Sequence, residues 1–453
     1  MKRTIRSLIS ILTCALFAST ATAQDAEQEF RKFTDSSGRE VEAILIDKTD
    51  TEVALKLKNG ANATFPIDKL SPEDQEFIKG WSKEKDLFLR KCLSLSVREL
   101  LELRGYESFD FRFESNHIII DGEINGHKAK LLIDTGAGGS TLHLGSAEKF
   151  GCEIGPMDQI VYGIGGQAPA AITKVSTIKL GESIITNQTM LSCDMYKDQP
   201  AGAHKNHDGL FGAKLLRQLD AVIDYKEYRM FLKPGLADGS AEAEPEKASE
   251  FRLFKTADGK SYRGNIKSKT TSAVTIEFTN GKSQQFSISG FSQEDRDFIS
   301  KWSETRDIFM RKCGSLTVQD LLQLREYKSF QYEYQGTHIF VDGKLKETPT
   351  RFMIDTGAGT SLMNKDDATK AGLSVGAMIH KIHGVGGVAM AGATPVPSLS
   401  IGDVLVANRT ILATDLFKQM GGKGDYAAIF GADFLRELNG VITYRENRIF
   451  LKP

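Results

Sequence analysis

Beyond its first two dozen residues, this 453-residue chain has no long apolar run. Nothing past that point reaches the ~20 consecutive apolar residues that a membrane-spanning helix needs. An excess of charge of one sign is also missing. Basic and acidic residues nearly cancel, for a formal charge of −1, and no basic patch or stripe stands out, which argues against a nucleic-acid surface. Cysteine is scarce, with five in all, and tryptophan scarcer, with two. No Ser-His-Asp or Cys-His set recurs in a pattern that nucleophilic catalysis would use, and "HKNH" at 204–207 has no further ligands nearby to make a metal site. What is present, 26% charged and 40% apolar residues, is the balance of a soluble globular protein.

The first residues read separately. "MKRTIR" is basic, "SLISILTCALFA" is apolar but short, and "STATA" ends in the Ala-x-Ala pattern of a cleavage site. Residues 1–23 are expected to be a signal peptide cut near Ala23/Gln24, giving a periplasmic or extracellular product in which disulfides are permitted. Apolar sequence continues well past Cys14, which disfavours a lipoprotein anchor there.

The rest of the chain is written twice. "FRKFTDSSGREVEA" at 30 returns as "FRLFKTADGKSYRG" at 251, "GWSKEKDLFLRKC" at 80 as "KWSETRDIFMRKC" at 301, and "LLIDTGAG" as "FMIDTGAG". The offset holds at 221 through both tryptophans, Trp81 and Trp302, to Asp134 and Asp355. It becomes 219 once a loop shortens, so that Pro234 matches Pro453. Two long copies do not make a solenoid, which stacks several short ones. A duplicated pair of domains about a pseudo-twofold axis is expected, joined by the small, acidic linker 235–250.

Each copy divides again. Alternating runs such as "EVEAILI" and "AVTIEFT", broken by Ser-Gly, Asn-Gly and Asp-Gly, predict a small antiparallel barrel or sheet at 28–82 and again at 251–303. Ser71 and Pro72 predict a helix start; Ser96 with Glu99, and Thr317 with Asp320, predict capping boxes in the helical connectors 83–108 and 304–329. Strand patterns then fill 109–234 and 330–453.

Asp-Thr-Gly alone is an ordinary way to leave a strand. Its recurrence at one position of the repeat changes its meaning. Two carboxyls at one water cannot both ionise, so they share a proton and can act as base and acid on an amide. Apolar residues ahead of Asp134 and Asp355 let each carboxyl emerge from a buried strand. Thr135 and Thr356 can bond across the pair, and Gly136 and Gly357 permit close approach. Downstream, "VYGIGGQ" (Tyr162, Gly163, Gly165, Gly166) and "KIHGVGGV" (His383, Gly384, Gly386, Gly387) suit mobile flaps, and "DGLFGAKLL" and "AAIFGADFL" repeat an apolar-apolar-Gly element before a helix.

These motifs resemble the retropepsin-like aspartic protease lobe over roughly 109–234 and 330–453. The "F-x-D/A-x-x-G-R/K" opening and the "FPIDKLSPEDQEFI" exit resemble the Sla homology domain, an SH3-like barrel, at each copy's start. The resemblance implies a mainly β fold: two lobes forming a pepsin-like pseudo-dimer, with two small barrels and short helices. It further implies a catalytic dyad of Asp134 and Asp355, interlocking Thr135 and Thr356, a polypeptide substrate, and no cofactor or metal. It departs where retroviral enzymes place an Arg, since Lys214 and Asp433 stand there and leave that ion-pairing role without its residue. Ala137 and Ala358 offer no hydroxyl to the carboxylates, so the dyad is expected to titrate less acidically than a pepsin site.

The expected protein is thus an exported, monomeric aspartic endopeptidase whose barrels bind a protein partner. The alternative is a non-catalytic peptide-binding adaptor that keeps the cleft. Cys152 and Cys193 occur together in the first lobe, while their equivalents are Leu373 and Thr414, which points to a Cys152–Cys193 disulfide. His117 and His338 match between copies and read as structural.

Overall fold

The computed structural model describes residues 30–114, 116–163, 166–196, 207–233, 251–336, 338–384, 387–402, 404–417 and 424–452. The expected signal peptide, the linker 235–250, and His204 of the "HKNH" stretch lie outside the described residues. The chain divides into two units, residues 1–92 and 93–453.

In the first unit four short strands, Arg31–Thr34, Glu40–Lys48, Glu52–Leu57 and Asn62–Pro66, form an antiparallel meander in chain order. Alternation decides it: Phe33, Ala43, Leu45, Val53 and Leu55 turn inward and are buried, while the residues between them, Ile44 and Ala54 included, are more exposed. A bulge between Leu45 and Asp47 bends the long second strand, and a bridge between Asp35 and Leu70 draws the far end back across the sheet. The helix Pro72–Gly80 starts as its sequence requires, with the Ser71 hydroxyl accepting from the Asp74 N–H. Buried Asp74 also accepts from the Thr34 N–H at 2.8 Å and faces Arg31, tying the helix to the first strand.

The second unit opens with the helix Val97–Leu103 and contains the second meander, Arg252–Lys255, Ser261–Lys269, Ala273–Phe278 and Ser283–Ser287. Its bulge, between Ile266 and Ser268, and its bridge, Thr256 to Phe291, fall at the repeat positions of the first. Both capping boxes form, Ser96 with Glu99 and Thr317 with Asp320.

The remainder is mainly β. Each lobe is built on one large sheet, nine-stranded in the first copy and eight-stranded in the second. In both, a hairpin (His117–Ile124 with His127–Asp134; His338–Leu345 with Thr348–Ile354) delivers its second strand to the Asp-Thr-Gly. The first hairpin turns at Asn125-Gly126, both with positive φ (49° and 78°), the conformation a two-residue turn demands. A six-stranded sheet joins the lobes, three strands from each copy, in the order Lys328–Gln331, Arg448–Leu451, Val441–Thr443, Val222–Asp224, Arg229–Leu232, Glu107–Asp110. At its centre Ile223 pairs with its own repeat equivalent, Ile442, so the pseudo-twofold axis passes between them. Both are fully buried, and one apolar core runs continuously through the two lobes. Full burial of each such side chain contributes about 1.5–3 kcal/mol. The lobes therefore pair within one chain.

The expected Cys152–Cys193 disulfide is not formed: both thiols are free. Register gives the reason. The strand Gly166–Leu180 has Glu153, next to Cys152, on one side at Lys174 and Cys193 on the other side at Ala170. Two strand spacings and four residues of strand separate them by roughly 15 Å, against the ~7 Å between Cα atoms that a disulfide tolerates. Cys92 and Cys313 are buried at the ends of equivalent helices.

Asp224, beside the axis, is fully buried. Its Oδ1 accepts from the N–H groups of Lys226 and Glu227, while Oδ2 has no partner among the described residues. Burial, reinforced by Glu227, pushes its carboxyl up to about 6. A raised carboxyl favours the fold while protonated, and that contribution disappears as pH climbs from the unfolded value through about 6. The cost of ionising it is on the order of 3 kcal/mol near neutrality. Melting temperatures of the parent should therefore fall across this interval more than those of Asp224→Asn; parallel pH curves for the two proteins would refute this.

Candidate active site

Asp134 ends the strand His127–Asp134 because Leu131, Leu132 and Ile133 before it are buried in the sheet, leaving the next residue to emerge at the edge. Asp355 follows Phe352, Met353 and Ile354 in the same way. Each carboxylate is steadied by its own loop. Asp134 Oδ1 accepts from the N–H groups of Gly136 (3.0 Å) and Ala137 (2.9 Å); Asp355 Oδ1 accepts from those of Gly357 (2.8 Å) and Ala358 (3.2 Å). The outer oxygens are thereby turned to face one another, and the two side chains share a hydrogen bond. The Asp134 carboxyl is held well above the usual carboxylate range, first by burial and then by the neighbouring Asp355. A bridging proton at working pH is what this predicts.

The glycines are explained by the opposite lobe rather than by backbone angle. A Cβ on Gly136 would stand 2.3 Å from Asp355 Cγ, and one on Gly357 2.3 Å from Asp134 Cγ. Any larger residue would drive the carboxyls apart. Below them the threonines interlock with full symmetry. The Thr135 N–H donates to Thr356 Oγ1 and the Thr356 N–H to Thr135 Oγ1, at 3.0 and 2.9 Å. Each hydroxyl then donates onward to a carbonyl of the facing strand, Ile354 or Ile133. Both threonines are completely buried, so these four bonds hold without competition from water.

A second support comes from the apolar-apolar-Gly elements. Strand Gly209–Gly212 runs parallel to the Asp134 strand, and Ala428–Phe430 to the Asp355 strand. Gly212 and Gly431 donate to the hydroxyls of Ser140 and Ser361, and Ala213 and Ala432 to the carbonyls of Ala137 and Ala358. These serines recur in the repeat, "GGSTL" against "GTSLM", a signal that sequence reasoning left unused. Asp433, where an Arg was looked for, accepts from both the N–H and the hydroxyl of Ser361 and binds the second loop directly. Lys214 is exposed at the matching place, so the two loops are braced differently.

The glycine-rich segments form hairpins. Tyr162 lies on strand Gln159–Gly163 and is 70% exposed, and Gly163 pairs with Gly166. His383 and Gly384 lie on strand Met378–Gly384, with Gly384 paired to Gly387. Gly165 and Gly386 fall outside the described residues. One residue read as structural is brought to the dyad: His117 faces the carbonyl of Gly357 and lies in the field of Asp355. A histidine at one repeat position ahead of each Asp strand was the available signal.

A family model described as aspartyl protease matches residues 120–215 and 341–434, and one described as SLA1 homology domain 1 matches residues 21–86. Among solved structures the chain is similar to a retropepsin-like aspartic protease from Rickettsia conorii, at 18% identity over 28% of this chain and 92% of that one, with a TM-score of 0.21. It is also similar to an aspartic proteinase from Irpex lacteus, at 12% identity over 77% and 97%, with a TM-score of 0.38. No curated protein matches the chain in sequence.

Thr135→Ala removes a hydroxyl that accepts one buried bond and donates another, leaving the Thr356 N–H and the Ile354 carbonyl unpaired. At ~1–3 kcal/mol for each orphaned group, the loss is roughly 2–6 kcal/mol. Thermal denaturation should show a clear drop in stability for Thr135→Ala and a much smaller one for Thr135→Ser. Equal melting points for all three proteins would mean that the interlock is not holding the lobes.

Proposed function

Since both lobes of this chain belong to the aspartyl protease family, we propose that it is an exported aspartic endopeptidase whose dyad is Asp134 and Asp355. The observation that carries this is the cross-lobe carboxyl pair, two acids sharing a hydrogen bond above a symmetric threonine lock.

One water sits between the outer oxygens. The ionised carboxyl takes a proton from it while the protonated carboxyl donates to the oxygen of the scissile carbonyl. Oxygen attack then gives a neutral tetrahedral diol. In the second step the C–N bond breaks: the leaving nitrogen gains a proton and a diol hydroxyl returns one, regenerating the shared proton. The titration belongs to the pair and not to either acid alone. The hairpins ending at Gly163/Gly166 and Gly384/Gly387 act as flaps that close over the bound chain and exclude water. Export rests on residues 1–23 and places the enzyme in the periplasm or outside the cell. The barrel at the N-terminus serves as a protein-binding module.

Asp134→Asn and Asp355→Asn should each lower kcat by at least about 100-fold on a peptide library, with cleavage by the parent blocked by pepstatin. Full activity in either variant would exclude a shared dyad, and a parent that binds peptides without cutting them would favour the adaptor reading. Because the Asp134 carboxyl is raised, the proton it needs is present below its shifted value and is lost as pH rises through it. Ala137 and Ala358 give only N–H bonds to the ionised forms. The optimum is expected in mildly acidic to near-neutral solution. A sharp optimum at about pH 2 would contradict this.

A further inference from the structure

The surroundings of the two dyad loops are chemically unlike. Beside Ala358, lobe two carries an apolar cluster separate from the main core, in which Phe340, Met353 and Ile429 meet Phe417, Tyr426 and Ile382 of the flap strand. Its rings touch in series: Phe340 to Tyr426 at 5.5 Å, Tyr426 to Phe417 at 5.0 Å. The equivalent cluster beside Ala137 in lobe one is smaller, with Ile119, Leu132 and Leu210. By repeat position Ile119 replaces Phe340, Tyr196 replaces Phe417, and His207 replaces Tyr426.

Around this smaller floor lobe one gathers imidazoles. His143 packs edge-on against Tyr196 at 4.9 Å, and Tyr196 lies 5.8 Å from the His207 ring, with its hydroxyl donating to the His207 carbonyl. His207 feels the fields of both His143 and His117, and His117 in turn faces Gly357 and Asp355. The three histidines thus trace a path from the dyad outward along lobe one. Nearby acids are already engaged or outlying. Asp208 accepts from the Lys130 N–H and the Ser146 hydroxyl, and half-exposed Asp194 lies 3.8 Å from His143. His207 Nδ1 is buried with no hydrogen-bond partner among the described residues.

We infer that the lobe-one wall receives a carboxylate-bearing side chain of the polypeptide, with His207 and His117 as its specificity-determining residues, while the lobe-two wall receives a large aromatic or apolar one. This rests on the endopeptidase reading and assigns its substrate class: chains with an acidic residue on one side of the cleaved bond and an apolar residue on the other. The physical reason is charge balance. Burial first, then the other two imidazoles, oppose protonation of His207 and push it down to about 4, outweighing the Gly209 backbone and the field of Asp208 that favour it. An incoming carboxylate adds to the field of Asp208, draws a proton onto the imidazole and accepts a bond from it. A hydrocarbon side chain in the same place leaves Nδ1 unpaired. Opposite it, Phe417 and the ring of Tyr426 present faces and edges that suit an apolar residue, and neither carries a charge to balance a carboxylate.

The test uses peptides with Phe on one side of the bond and Glu, Gln or Leu on the other, in both orders. Cleavage is measured with the parent protein and binding with Asp134→Asn, so that preference is read with and without turnover. The Glu peptide should exceed the Leu peptide by about 10-fold or more in one order, in both kcat/KM and affinity. His207→Tyr installs the residue that the fold already accepts at position 426, and it should abolish that preference, read as the ratio of Glu-peptide to Leu-peptide affinity. His117→Leu should weaken it. A Leu peptide bound as well as the Glu peptide in both orders, or a preference that survives both substitutions, overturns the inference. Preference in binding with no cleavage of any peptide leaves the inference standing and removes the endopeptidase reading instead.

Discussion

Two carboxyl groups held in contact repel one another when both are charged. At ~4 Å and an effective dielectric of about 20, that repulsion is roughly 4 kcal/mol. Everything around Asp134 and Asp355 is arranged to withstand it. The threonine lock bonds each loop to the facing strand, the glycines remove the atoms that would wedge the carboxyls apart, and the six-stranded sheet fixes the lobes about the axis. The remaining strain is relieved chemically, by keeping a proton on the pair. The interaction that the scaffold must resist is therefore the one that the proposed chemistry would use.

The duplication explains how one chain meets this demand, and also how it escapes symmetry. Positions that hold the lobes together stay alike in both copies: Thr135 and Thr356, Ser140 and Ser361, Ile223 and Ile442. Other positions have diverged: Ile119 and Phe340 and His207 and Tyr426 around the dyad loops, and Tyr162 and His383 on the glycine-rich hairpins. Asp433 braces one dyad loop in a way that exposed Lys214 cannot brace the other. An enzyme made of two identical chains cannot vary its walls independently; a fused pair can.

Much of this was legible in the sequence because it is local or repeated. Capping at Ser71, Ser96 and Thr317 depends on residues three apart, and the hairpin at 125–126 follows from an Asn-Gly dipeptide, so short-range pattern suffices. The meeting of Asp134 and Asp355 was legible for a different reason: a 221-residue echo is evidence about three dimensions that no single motif holds. What sequence did not reveal depends on register and on side-chain reach. Cys152 and Cys193 occur together in one copy, yet they lie on opposite sides of a strand, a separation that only pairing exposes. His117 opens a strand like any surface residue, and its approach to Gly357 of the other lobe appears only when the lobes meet. Asp433 stands where the family resemblance places an Arg, and its role as an acceptor is hidden in sequence because its partner Ser361 lies 72 residues away.

The central claim, that one chain supplies both halves of one site, is tested most directly by mixing. Asp134→Asn and Asp355→Asn proteins would be unfolded, combined in equal amounts, refolded together and assayed for peptide cleavage beside each variant alone. If the lobes pair within the chain, every molecule carries one damaged carboxyl and the mixture stays as inactive as its components. Recovery of a substantial fraction of the parent activity would show that lobes from different chains assemble the site, and would contradict the account.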